Sequence, residues 1–336
     1  MHRFAGILLF FCLTLALLPG RSVLADPVRP FFTRNLQPVI QIFGLPPADD
    51  GLLAAPGTSH ARLTAEAANH FAISRKGAES VEFDGETYRF TLALRAALGR
   101  DWELGIDLPL VTQDGGILDG FIENWHDAFG MSQGGRNRRE RDRLFYFYQK
   151  VGETKLDVDH GSTGLGDISV LLARRIFAEQ FGSERHLALR GGIKLPTGNS
   201  DRLHGSGSTD VHLRLAATDA RTLRGIDTTL FASGGLLWLS PGDILSDQQR
   251  HWVWFGNAGL GWKPLGWMAL KAQIDGHSAF FDGSDLRETG KPSAQLMVGG
   301  SLYFPGDWTL DLGIGEDIMV ATAPDVVFHL ALARRF

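Results

Sequence analysis

Apolar and polar residues alternate at period two along most of this chain, and that alternation limits its folds more than any other feature. In DWELGIDLPL (101–110), Trp102, Leu104, Ile106, Leu108 and Leu110 share one face, and Glu103, Gly105 and Asp107 take the other. Such a pattern sits on a strand and not on a helix. In TYRFTLALRAAL (87–98), Tyr88, Phe90, Leu92 and Leu94 stand against Arg89, Thr91 and Arg95. In HLALRGGIKL (186–195), Leu187, Leu189, Ile193 and Leu195 stand against Arg190 and Lys194. In DWTLDLGI (307–314), Trp308, Leu310, Leu312 and Ile314 stand against Thr309, Asp311 and Gly313.

Twelve segments of this kind recur, near 61–73, 86–98, 102–111, 165–176, 186–196, 209–219, 227–239, 251–263, 267–278, 293–304, 307–316 and 326–336. Each runs 10 to 13 residues. Ordinary strands are about 5–6 residues long, whereas a tilted strand needs about 9–11 to cross a bilayer. The connections alternate long and short, from turns such as PLG (264–266) and PG (305–306) to the 53-residue loop 112–164. Transmembrane barrels show that asymmetry, with short periplasmic turns and longer outer loops. The expected fold is therefore all-β: a closed antiparallel transmembrane β-barrel of twelve strands, monomeric, with both ends periplasmic.

The two faces have inverted chemistry for a soluble protein. The apolar face should meet lipid, with aromatics near strand ends at Trp102, Trp238, Trp252, Trp262, Phe304, Trp308 and Phe336. The other face should line the lumen. It carries Arg62, Arg89, Arg95, Arg190, Lys194, Arg214 and Lys271, and against them Glu66, Glu103, Asp107, Asp167, Asp210, Asp275 and Asp311. His277 shares that face with Asp275. Balanced charge of this kind predicts either weak ion selectivity or a lumen closed by ion pairs.

Residues 1–25 read as an export signal: Arg3, the apolar run AGILLFFCLTLALL, and a small-residue site ending at Ala25. The single cysteine, Cys12, falls inside that run, so the rest of the chain has no thiol chemistry. Without Arg3 and Arg21, 31 basic residues face 38 acidic ones, which argues against a nucleic-acid partner. The composition and signal point to the bacterial outer membrane.

Two segments do not fit the wall. Residues 26–60 hold six prolines, and proline is excluded from central strands. VIQIFGL (39–45) is too apolar to stay solvated, so this segment should plug the lumen or lie at its periplasmic mouth. In the loop 112–164, Leu118, Phe121, Ile122, Trp125 and Phe129 follow helical spacing, and RNRRERDRLFYFYQKV (136–151) offers residues that could extend a strand.

The stretches RNLQPVIQIFGLPPA (34–48), GLGDISV (164–170), GIKLPTG (192–198) and GSGSTD (205–210) resemble an uncharacterised family of proteobacterial proteins, domain of unknown function 3187. The resemblance covers nearly the whole chain after the signal. It implies a barrel in the cell envelope and brings no substrate or catalytic residue with it.

Motifs that carry chemistry are sparse. Asp275, His277 and Ser278 could suggest an outer-membrane lipid hydrolase, but neighbours in one strand point to opposite faces. LHGSGSTD (203–210) lacks the lysine and the strand–turn–helix setting of a phosphate-binding loop. No histidine pair has metal-ligand spacing, and no cofactor is expected. Arg136, Arg138, Arg139, Arg141 and Arg143 could meet lipopolysaccharide phosphates, although Glu140 and Asp142 interrupt them. Phe336 resembles the terminal aromatic that the barrel assembly machinery reads. Three roles follow: passage of a small solute, a structural barrel with a closed lumen, or a lipid hydrolase.

Overall fold

The computed structural model describes residues 27–130, 139–179, 184–319 and 322–336. The expected signal, and Arg136 and Arg138, lie outside them. Fifteen strands form one sheet among the described residues. Those named here are β1 (Ser59–Lys76), β2 (Glu79–Leu98), β3 (Trp102–Asp114), β4 (Phe145–Lys150), β5 (Glu153–Val158), β6 (Ser162–Leu165), β7 (Ser169–Ala178) and β8 (Arg185–Lys194). They continue with β9 (Asp210–Leu223), β10 (Thr228–Leu239), β11 (Trp252–Leu265), β12 (Met268–His277), β13 (Ser293–Phe304), β14 (Trp308–Asp317) and β15 (Val326–Arg335).

Twelve of these close a barrel. β1 pairs antiparallel with β2 on one side and β15 on the other, and the ladder continues through β3 and β7 to β14. The closing seam is in register from His60 opposite Arg335 to Asn69 opposite Val326. Ser59 and Phe336 complete it by exchanging both backbone hydrogen bonds, at 2.9 and 3.2 Å. Among the described residues no wall strand keeps a free edge in lipid, where unpaired backbone would cost several kcal/mol per group.

The outward face is apolar. Leu63, Leu104, Leu172, Leu213, Leu236, Leu270 and Leu312 are all exposed. Trp102, Trp262, Trp267 and Phe336 ring the end that carries the short turns; Trp238, Trp252 and Trp254 ring the end that carries the long loops. An apolar band between two aromatic girdles is the outer surface of a membrane barrel.

The connection expected at 74–85 is not a loop. β1 and β2 run on for 18 and 20 residues and turn at Gly77, whose φ of 59° suits a residue without Cβ. The β2 extension pairs with β4, which pairs with β5. Helix α1 (Asp119–Phe129) lies in the same long connection. Alternation continues in the hairpin because one face is still buried: Val81, Phe83, Tyr146, Tyr148, Leu156 and Val158 form an apolar layer beyond the barrel proper.

Candidate functional site

Residues 27–58 fill the barrel. The segment enters at the short-turn end, where the Val28 amide donates to Thr229 Oγ1. It climbs past β12, where the Phe31 amide donates to Gln273 Oε1. Asn35 then donates to His277 Nε2 and to the Thr322 carbonyl, and Gln37 to the Glu288 carbonyl. Ile40, Ile42, Phe43 and Leu45 form the tip, buried under the long-loop end. Phe43 stacks on Phe280 at 5.3 Å and meets Phe281 edge-on. Beyond the tip the chain descends again and enters β1.

Proline suits this path. Its missing amide removes a donor that a polar lumen would otherwise have to satisfy. The wall makes room with glycine. A Cβ on Gly261 would stand 2.3 Å from Val28 Cγ1, and one on Gly313 would stand 3.0 Å from the Phe31 ring. Glycine inside a strand often marks such close approach.

The four stretches that carry the family resemblance converge at the tip. Lys194, of GIKLPTG, lies 2.6 Å from Asp167, of GLGDISV, and 3.1 Å from Asp210, of GSGSTD. The ammonium also donates to Ser206. From the plug, the Gly44 amide donates to Asp210 Oδ2 at 2.7 Å, and a Cβ there would come within 2.7 Å of Asp210 Cβ. All four polar groups are buried. Two carboxylates and one ammonium so enclosed need the added donors from Ser208, Ser206 and Gly198. Nearby, Arg89 donates to Gln41 Oε1, and Gln41 donates to the Leu203 carbonyl.

Lower down, the returning leg brings its own charge. Asp49 lies 3.0 Å from Arg214 and 3.4 Å from Arg190. Arg190 also pairs with Glu103 at 2.9 Å and donates to the carbonyls of Asp50 and Leu52. Arg95 pairs with Asp107 at 2.7 Å, Lys271 with Asp311 at 3.1 Å, and Glu66 with His329 at 3.1 Å. Lys271 stands 3.9 Å over the Phe31 ring, and Arg62 4.8 Å from the Phe32 ring. Asp49 and Asn35, from the plug, are central here, yet the sequence offered little to mark them beyond the PPADD stretch.

Asp275 and His277 share the lumen face, but each bonds to other groups. Asp275 accepts two hydrogen bonds from Gln273 at 2.9 Å, while His277 faces Asn35 and its Nδ1 contacts the Ser278 carbonyl. The neutral Nδ1–H tautomer satisfies both contacts. The Ser278 hydroxyl accepts instead from the Trp254 amide, so serine and histidine do not meet as nucleophile and base. Among the described residues no group of three or more His, Cys, Asp or Glu side chains is placed for a metal. In the long loops, Arg139 and Arg143 pair with Glu82, and Arg141 with Glu123. Burial lowers the pKa of His204, beside Ser162, below the usual histidine value.

A family model described as "Protein of unknown function (DUF3187)" matches residues 7–336. The chain belongs to that family. No curated protein matches the sequence. The DUF3187 chain is similar in structure to the COG4313 outer membrane channel from Pseudomonas putida F1, with a TM-score of 0.57 and 14% identity over 87% of this chain and 100% of that one. It is also similar to the toluene transporter TbuX of Ralstonia pickettii, with a TM-score of 0.41 and 9% identity over 85% and 91%. The first likeness shows a shared fold. The DUF3187 chain thus has the fold of outer-membrane β-barrels.

Within this DUF3187 barrel, among the described residues, a cavity of about 320 Å³ lies beneath the plug. It lies at the short-turn end, between the returning leg and the wall, and its rim includes the exposed Ala55 and Pro56.

Proposed function

We propose that this barrel passes a small solute and is closed at rest by its own residues 27–58, with the short-turn end and both chain ends in the periplasm. One observation carries the reading. The lumen is filled by a separate stretch of chain, and many of its contacts with the wall are polar: Gly44 with Asp210, Gln41 with Arg89, Asn35 with His277, Asp49 with Arg214. Side chains fill small barrels outright, and wider ones enclose a channel. Here the wall alone would enclose a polar conduit. Lipid meets the leucine face, and the assembly machinery reads Phe336.

A second reading is a structural barrel with a permanently shut lumen. The stacking of Phe43 against Phe280 favours it, since both rings are almost fully buried. Planar-bilayer recording decides between the two. The full chain should be mostly silent, with rare steps. A variant lacking residues 27–56, with its signal retained, should show stable unit conductance. A variant that is silent yet still shifts on gels after boiling is folded and shut; that result would abandon passage for the structural barrel.

A further inference from the structure

The cavity beneath the plug has an unbalanced lining. Arg29, Arg62, Arg95, Arg175, Arg190 and Arg335 border it, against only two carboxylates, Asp49 and Glu103. Most of these arginines are engaged. Arg190 is shared by Asp49 and Glu103, Arg95 pairs with Asp107, and Arg335 with Asp307. Arg29 reaches Asp50 only at 3.9 Å. Arg62 and Arg175 make no ion pair among the described residues, and the buried Nε of Arg62 has no hydrogen-bond partner. The Phe32 ring lies 4.8 Å from the Arg62 guanidinium, a contact with the flat face that uses none of its N–H donors.

The remaining lining mixes the polar Thr58, His60 and His186 with apolar groups, of which Phe32, Leu52 and Leu53 are the largest. A volume of about 320 Å³ falls within the range of small-molecule sites. A site with a few cationic donors and an apolar wall suits a ligand with an anionic head and a compact hydrocarbon body.

We infer that this cavity binds a small organic carboxylate, its head on Arg62 and Arg175 and its body against Phe32, Leu52 and Leu53. The consequence for opening rests on the passage reading. A carboxylate here lies in the same cavity as Asp49, the plug's own anion. It adds like-charge repulsion to the returning leg, which carries Asp49. The solute would then loosen the segment that blocks it.

Calorimetry of the purified full chain in detergent tests the site, with protein-free micelles as the blank. The probes are benzoate, its uncharged counterpart benzamide, and inorganic phosphate. Benzoate should bind saturably, and at least tenfold more tightly than either of the others. Arg62→Gln and Arg175→Gln should each weaken benzoate roughly tenfold, the size of one charge-assisted contact. Heat-modifiable gel mobility confirms that each variant is folded, and the comparison among probes needs no variant at all. No saturable benzoate binding, or equal binding of benzamide, overturns the site. Phosphate bound as tightly as benzoate overturns the organic class. Benzoate binding in a protein whose plug deletion does not conduct removes passage but leaves the site. Conductance without benzoate binding does the reverse.

Discussion

The backbone amide of Gly44 donates to Asp210 Oδ2 at 2.7 Å, and the same carboxylate oxygen lies 3.1 Å from the Lys194 ammonium. Thus the tip of the plug is fastened to a wall ion pair by an atom that every residue type except proline possesses. What matters at position 44 is the absence of a side chain. What matters at position 194 is the charge.

Lys194→Met should loosen the tip. It leaves Asp167 and Asp210 buried with their common cation removed, and breaking a buried pair in this way costs about 3–5 kcal/mol. Part of that cost falls on the docked plug. Trypsin should then cut at Arg34, which is buried in the docked segment, and channel openings should become more frequent. Protection at Arg34 equal to the parent would mean that the clasp does not hold the plug.

Gly51→Leu should displace the returning leg. A Cβ at this position would stand 2.5 Å from the His186 carbonyl oxygen, which is backbone and cannot swing away. Overpacking of this kind typically costs about 1–3 kcal/mol. The barrel itself should persist, because the wall ladder does not depend on residue 51. Bilayer recording should show increased open time with unchanged gel mobility; loss of the folded band would place residue 51 among the wall's own supports.

The two faces of β14 should respond oppositely to charge. Leu312 is exposed on the outer wall, while Asp311 is buried 3.1 Å from Lys271. Leu312→Arg places a charge in lipid, at a cost of about 2–4 kcal/mol near the midplane, and should lower refolding yield into vesicles. Asp311→Glu keeps a negative charge beside Lys271 on the lumen side and should refold with normal yield. A fall of equal size at both positions would contradict the assignment of faces.

Sidedness is open to thiol labelling, because Cys12 is the only cysteine in the sequence. Glu153→Cys, at the exposed turn between β4 and β5, should react with an impermeant reagent on intact cells. Gly266→Cys has open space around its Cβ in a short turn and should react only after the outer membrane is permeabilised. Labelling in the opposite order would invert the proposed orientation.

Phe336→Ala, which keeps both backbone bonds to Ser59, should lower outer-membrane abundance more than it lowers refolding in vitro. The ring is exposed and touches Arg334, so one interfacial contact is all that the finished barrel loses from the side chain. Quantitative blotting of membranes, set beside detergent refolding yield, measures the difference. Equal losses would assign the residue to the fold and not to assembly.

The wall was legible in the sequence because alternation at period two is a local signal, and each strand buries one face along its full length. Leu310, Asp311 and Leu312 declare their sides with no knowledge of the rest of the chain. The extension of β1 and β2 was harder to see. Val81 and Phe83 keep the alternation, but they bury against β4 and not against lipid, and nothing local distinguishes those surroundings. The clasp was least visible. Gly44, Asp167, Lys194 and Asp210 come from four separate stretches, and only the closed barrel brings them together. The partners of Asp49 were hidden for the same reason: a plug has no periodicity, since each of its residues meets a different part of the wall.

Because the descending leg of the plug continues directly into β1, an ejected plug cannot diffuse away. Its return is intramolecular, driven by an effective concentration on the order of millimolar for a short flexible tether. Closure is then a first-order event, independent of how much protein the membrane holds. On the proposed passage reading, no soluble factor is needed to reset the barrel after each opening, and the lifetime of the open state becomes a property of a single molecule.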